Sequence, residues 1–127
     1  ILIGVKNLSA LKAAQLNGEL HARYLAEGLS VQCVFVFTSE AYGPDADYAS
    51  RMFFDTGGIR EDPATGSANT AFAAYLRELK GAPFKAVVDQ GVEMQRPSRL
   101  YLDVDGSLRV GGRTQLVSTG SFAADLF

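Results

Sequence analysis

A helix that is apolar almost all the way round cannot rest on a protein surface, and this chain contains one. From Ser67 to about Leu79 the sequence reads as a helix. Ala68, Ala71, Phe72, Ala73, Ala74, Tyr75, Leu76 and Leu79 cover most of its circumference. Such a helix belongs inside a domain, and its alanines let other elements approach it closely. The expectation is a central helix wrapped by strands, with its N-terminus held at a fixed depth.

The chain enters this helix through Gly57-Gly58-Ile59-Arg60-Glu61-Asp62-Pro63-Ala64-Thr65-Gly66-Ser67-Ala68-Asn69. The first N–H groups of a helix have no intrahelical acceptor, and the helix dipole places positive potential there. Thr65, Gly66 and Ser67 supply two hydroxyls and a position without a Cβ, so the backbone can face a ligand. A carboxylate or phosphate fits such an end. Asp62, stiffened by Pro63, stands beside it, suited to moving a proton or to holding an amino or hydroxyl group of the same ligand. The same residues also fit a plain helix cap, with Thr65 or Ser67 as N-cap and Asp62 as a turn residue. Pattern alone leaves both readings open.

Composition narrows the class. The chain has 127 residues, 47% hydrophobic and 20% charged, with a formal net charge of −2. That is one globular domain, residues 1–127, with a core of its own. Acids and bases are interspersed, so no basic patch points to nucleic acid. No apolar run is long enough for a membrane helix and no signal-peptide pattern is present, which makes a cytoplasmic protein the default. Cys33 is the only cysteine and His21 the only histidine. They exclude an internal disulfide, a Cys- or His-based metal cluster and a two-cysteine racemase within this chain. Cys33 lies in a strand-like run and is expected to be a small buried hydrophobe. His21 is expected on the surface of a polar helix. The start Ile1-Leu2-Ile3 has no Met, which suggests a fragment or a processed chain.

In order, Ile1–Val5 reads as a strand. Helical spacing then runs through Leu11, Ala14, Leu16, Leu20, Tyr24 and Leu25, with Ser9 as a plausible N-cap, a break at Asn17-Gly18 and a stop at Gly28. Val31–Thr38 is a strand buried on both faces. Tyr48–Phe54 alternates as another, with Arg51 on the face opposite Met52 and expected in solvent. After the helix, closed at Lys80-Gly81, Phe84–Gln90 is a strand and Val92–Pro97 is irregular. Leu100–Val104 and Leu108–Val110 form a hairpin about Asp105-Gly106. Gly111-Gly112 marks a bulge or close approach, and Gln115–Phe122 completes the sheet. The class is α+β, a curved mixed sheet rolled around a central buried helix.

Two motifs carry a resemblance. Glu61-Asp62-Pro63-Ala64-Thr65-Gly66-Ser67-Ala68 resembles the signature loop of the phenazine-biosynthesis PhzF-like isomerases. Gln90-Gly91-Val92-Glu93-Met94-Gln95-Arg96-Pro97-Ser98 is similar to the family's Gln-Gly-x-x-Met-Gly-Arg-Pro-Ser segment. The family shares the diaminopimelate epimerase-like fold, in which two lobes each roll a sheet around a helix and the active site lies between them. The resemblance implies that this chain is the C-terminal lobe. It assigns Asp62 and Ser67 to the active site and the N–H groups of Gly66 and Ser67 to the substrate carboxylate, with Thr65 expected beside them among the substrate-binding residues. The N-terminal lobe would bring a catalytic glutamate and a Gly-His pair, which have no counterpart here. Arg96 receives no direct role and a structural salt bridge suits it equally. Gln95 replaces the family's glycine, and a non-glycine residue resists positive φ.

The leading expectation is therefore the C-terminal lobe of a cofactor-independent isomerase acting by proton transfer on a small carboxylic acid. Its partners would be that substrate and an N-terminal lobe or partner chain, with no nucleic acid, membrane, metal or other cofactor. The alternative is a non-catalytic module that binds a small carboxylate or a protein, alone or as a homodimer. A phosphate-handling enzyme ranks below both, because the nucleotide-binding glycine loop is missing.

Overall fold

The computed structural model describes residues 1–28, 33–55 and 58–121. Ten elements follow in chain order: β1 (Leu2–Gly4), α1 (Leu8–Ala13), α2 (Gly18–Ala26), β2 (Cys33–Thr38) and β3 (Tyr48–Asp55). Then come β4 (Ile59–Asp62), α3 (Gly66–Lys80), β5 (Phe84–Gln90), β6 (Ser98–Val104) and β7 (Leu108–Gly112).

The strands make one seven-stranded mixed sheet in the order β1-β2-β3-β5-β6-β7, with β4 added beside β3. β3 is the organising strand. One edge carries β2 along its whole length, Cys33 opposite Phe54 through Thr38 opposite Ala49. The other edge is shared. Tyr48–Ser50 pairs in parallel with Val88–Gln90 of β5, and Met52–Asp55 pairs antiparallel with Asp62–Ile59 of β4. The sequence reading took Ile59–Asp62 for loop. Its Ile-Arg-Glu-Asp has little apolar alternation, and only the open half-edge of β3 makes it a strand.

Side chains alternate across β3 and define two layers. Met52 faces α3, where Phe35, Tyr48, Phe72, Ala73, Leu76, Ala86, Val88, Leu102 and Val104 form a buried cluster. Leu2 of β1 and Val110 of β7 pack against the same cluster. Strands from both ends of the sheet thus reach one helix, which is the rolled α+β architecture expected. Phe72 sits at the centre, its ring 5.4 Å from Phe35, 4.5 Å from Phe37 and 5.2 Å from Tyr48. On the other face Leu11 of α1 joins Val34, Val36, Ala49 and Phe53.

Several local expectations change. α3 buries Asn69, Phe72, Ala73 and Leu76, whereas Tyr75 and Leu79 on its outer side are 40% and 64% exposed. Among the described residues the sheet covers one side of the helix and not its whole circumference. Asn7, not Ser9, caps α1, its Oδ1 accepting from Ala10 N at 2.9 Å. Asn17 starts α2 in the same way, accepting from Leu20 N at 3.0 Å. His21 is buried, because α2 turns that face toward the sheet, and its Nδ1 lies 3.6 Å from Asp55 Oδ2. Cys33 is exposed at the start of β2, where it borders an open depression with Ser67, Ala68 and Ala71 of α3.

Arg51 is not solvated. Its face of β3 lies under the end of α1, and the residue is only 8% exposed. Gly111-Gly112 continues the β6–β7 ladder without a bulge, opposite Tyr101 and Leu100. The segment 115–121 forms no strand and is exposed, while Phe122 lies outside the described residues.

Candidate active site at the start of helix α3

The sheet register brings the two sequence motifs together. Asp62 pairs with Met52 and Gln90 with Ser50, positions two apart on one edge of β3. Both side chains therefore point to the α3 side, beneath the start of that helix. The intervening Pro63–Thr65 turn carries the chain from β4 up into α3.

The turn is clasped by Gln90, which is fully buried. Gln90 Nε2 donates to Asp62 O at 2.7 Å and to Thr65 Oγ1 at 3.0 Å. Its Oε1 accepts from Asn69 Nδ2 at 3.0 Å and from Thr65 N at 3.4 Å. Asn69, also fully buried, donates a second bond to Thr65 O at 2.9 Å. Asn69 Oδ1 has no donor among the described residues, so this side chain serves through its two N–H groups. Thr65 Oγ1 in turn donates to Asp62 Oδ2 at 2.6 Å, a short charge-assisted bond. Asp62 Oδ1 receives only a long contact from Ala64 N at 3.4 Å and stays available.

The plain helix cap expected of Thr65 is not formed. Thr65 holds the N-cap position with extended backbone, but its side chain makes no capping bond to the helix. Intrahelical bonding begins at Asn69 N, which donates to Thr65 O at 3.1 Å. The N–H groups of Gly66, Ser67 and Ala68 have no acceptor among the described residues. Gly66 and Ser67 are exposed, and Ser67 Oγ has no partner among the described residues. Three donors and a helix dipole thus open outward beside an acid. An anion would satisfy them.

The start of α3 borders two depressions. Ala64 and Gly66 face Pro97, Ser98 and Gly112 across one, with Arg113 at its rim. Ser67, Ala68 and Ala71 face Leu2, Cys33 and Met52 across the other. Arg113 adds positive charge on the first side, and nothing in its sequence context marked it. Arg99 on the same side is committed to Asp89 at 3.0 Å, a bond that raises its already high pKa.

A second layer supports the loop from the opposite face of the sheet. Glu61 pairs with Phe53 and so points away from Asp62, toward α1. Arg51 meets it in a two-pronged contact, Nε to Oε1 at 2.9 Å and Nη2 to Oε2 at 2.8 Å. The remaining prong, Nη1, donates to the C-terminal carbonyls of α1: Leu11 at 3.2 Å, Lys12 at 3.1 Å and Ala14 at 2.9 Å. Glu93 of the second motif lies 3.9 Å from Arg51 Nε and accepts from the Tyr42 hydroxyl. Burial, then the bond to Glu93, hold the Tyr42 phenol well above the usual tyrosine range.

The second motif wraps the first by close backbone contact. Gly91 has φ 78, and a Cβ there would lie 2.5 Å from Arg96 O and 2.8 Å from Pro63 O. Only glycine fits. Gln95, where the family has glycine, does adopt positive φ, at 57°. Arg96 is exposed and forms no salt bridge among the described residues. Gln90 opened the second motif in the sequence without a role. Its part follows from parallel pairing of β5 with β3, a long-range contact that no local pattern encodes.

The architecture is that of solved PhzF-type structures. A phenazine biosynthesis protein of the PhzF family from Bacillus anthracis superposes with a TM-score of 0.68 at 24% identity, over 86% of this chain and 40% of that one. A Pseudomonas aeruginosa protein described as a predicted epimerase gives 0.62 at 34% identity, over 92% and 40%. Residues 1–123 match the family described as phenazine biosynthesis-like protein, and the chain belongs to that family. It is 32% identical to the trans-2,3-dihydro-3-hydroxyanthranilate isomerase of P. aeruginosa over 84% of its length and 36% of the relative's. An uncharacterized isomerase of Pasteurella multocida is also 32% identical, over 94% and 40%. The chain thus spans roughly two fifths of the relatives it matches. Among the described residues no helix is long and apolar enough to cross a membrane.

Proposed function

We propose that this chain is the C-terminal lobe of a cofactor-independent PhzF-type isomerase that moves a proton between carbon atoms of a small carboxylic acid. The observation that carries the reading is the uncapped start of α3, whose Gly66, Ser67 and Ala68 N–H groups have no acceptor among the described residues, Thr65 turning its hydroxyl to Asp62. The substrate carboxylate sits on the N–H groups of Gly66 and Ser67. Asp62, through its available Oδ1, takes the substrate's amino or hydroxyl group, and Ser67 Oγ adds a second polar contact. Thr65 lines the cradle and orients Asp62. The glutamate that carries the moving proton comes from an N-terminal lobe, in the same polypeptide or in a partner chain.

Relatives named for acting on trans-2,3-dihydro-3-hydroxyanthranilate supply the substrate class: a cyclic acid with an amino group and a hydroxyl near the carboxylate. That substituent pattern matches an anion cradle with one acid beside it. The test is deuterium incorporation from D2O into that compound by the complete two-lobed protein, followed by NMR. Asp62→Ala is expected to lower turnover at least about a hundredfold, the low end for loss of a positioned acid or base. Unchanged turnover would remove Asp62 from the mechanism.

A further inference from the structure

We propose that Gln90 is a positioning residue that keeps the start of α3 uncapped, by holding the Thr65 hydroxyl on Asp62 and away from the helix N–H groups. The inference deepens the carboxylate-cradle reading and rests on it for its functional meaning, but it is tested without a ligand.

The hydrogen-bond directions in this cluster are forced. Asp62 O can only accept, so the Gln90 atom 2.7 Å from it must be the amide nitrogen. Thr65 N can only donate, so the Gln90 atom facing it must be the oxygen. Two backbone groups thus fix which end of the amide is which, without reference to the hydroxyl. The same Nε2 then donates to Thr65 Oγ1 at 3.0 Å. Asp62 Oδ2, 2.6 Å from the same oxygen, is an acceptor, so the hydroxyl proton goes to it.

Thr65 is in other respects a good N-cap. Threonine is a favoured residue there, and its backbone is extended as an N-cap requires. Left alone, its oxygen would accept from the N–H of Ser67 or Ala68 and consume the donors that a carboxylate needs. Gln90, from a position 25 residues away, holds that oxygen on the Asp62 side of the turn, where it makes no bond to the helix N–H groups.

The experiment compares backbone amide exchange, read by NMR, in the wild type, Gln90→Met, Thr65→Ala and the double variant. Methionine keeps the length and volume of glutamine without its donors. In the wild type Ser67 and Ala68 are expected to exchange fast. In Q90M the freed hydroxyl caps the helix, and exchange of Ser67 or Ala68 slows about fivefold or more, in line with the usual strength of a cap. In T65A/Q90M, with no hydroxyl to cap, exchange is fast again.

Simple loosening of the loop would do the opposite, speeding exchange at Ser67 and Ala68 in Q90M, and that result overturns the proposal. So does slowing that persists in the double variant. If Q90M does not fold, T65A tests the premise: a hydroxyl that does not cap leaves Ser67 and Ala68 exchange as fast as in wild type, and faster exchange on its removal overturns the proposal. Titration of the wild type and Q90M with 3-hydroxyanthranilate, the aromatic counterpart of the relatives' substrate, separates the two readings. Absent binding to wild type with the exchange pattern intact overturns the cradle and leaves Gln90's role standing. Binding that weakens about tenfold in Q90M supports both.

Discussion

Arg51 shows how one side chain can tie a site to the rest of a fold. Its guanidinium bridges Glu61, the residue before Asp62, to three carbonyls at the end of α1. Planar, five-donor geometry suits it to this, and lysine cannot reproduce it. Arg51→Met would leave Glu61 and the α1 carbonyls unpaired in a dry layer. The expected loss is about 3–5 kcal/mol of unfolding free energy in denaturant titration. Arg51→Lys is expected to restore only part of it. Tyr42, at the same cluster, makes a pH prediction. Its folded pKa lies above the ordinary 10.0, through burial and the Glu93 bond. The folded state therefore keeps a proton that the unfolded state releases. The stability this contributes is complete below pH 10 and is lost as pH rises toward the folded value. Unfolding midpoints of the wild type should fall more steeply above pH 10 than those of Tyr42→Phe.

At the scale of elements, the site is a junction of strand ends. β4 and β5 share an edge of β3, so Asp62 and Gln90 arrive side by side. The Gly91–Pro97 turn then folds over Pro63, with no room for a side chain at Gly91. Gly91→Ala must displace backbone on both motifs and is expected to cost more than about 2 kcal/mol, from left-handed strain and the clash together. Gln95 runs the other way. It holds φ 57 without a glycine, at a cost of roughly 1–2 kcal/mol for a residue with a Cβ. Gln95→Gly, partly offset by glycine's greater unfolded entropy, is expected to raise the unfolding free energy by about 0.5–1 kcal/mol. An unchanged or lowered value would show that the turn carries no such strain.

At the scale of the whole molecule, one flank of α3 is uncovered among the described residues. Tyr75 and Leu79 are exposed on its outer side, and Ser67 opens beside Ala71 into a depression that the sheet does not close. On the proposed reading a second lobe completes this side. The 127-residue chain alone should then associate through it, giving an average mass above 13.6 kDa in sedimentation as concentration rises. Leu79→Glu should return it to the monomer. A wild-type chain that stays monomeric at high concentration would argue against that flank as a contact surface.

Much of this was legible in the residues. The alanine- and aromatic-rich run announced a helix in contact with the core, Asn17-Gly18 a break, Lys80-Gly81 a stop and Asp105-Gly106 a hairpin, because each depends on neighbours a few positions apart. The Thr65-Gly66-Ser67 helix start was legible for the same reason. The misreadings share the opposite cause. His21, Cys33 and Arg51 were judged by their own element, yet burial depends on what the sheet's other side receives. Arg51 was correctly placed opposite Met52, but only the packing of α1 on that face made it an interior charge. β4 exists because β3 offers half an edge. Whether Thr65 caps the helix, finally, was undetermined by the motif itself. Its hydroxyl bonds Asp62 instead, beside Gln90, which a parallel strand pairing brings under Thr65. The sequence by itself determined the local chemistry and the periodicity that folds it, and tertiary structure decided which hydrogen-bond partner each of those groups has left.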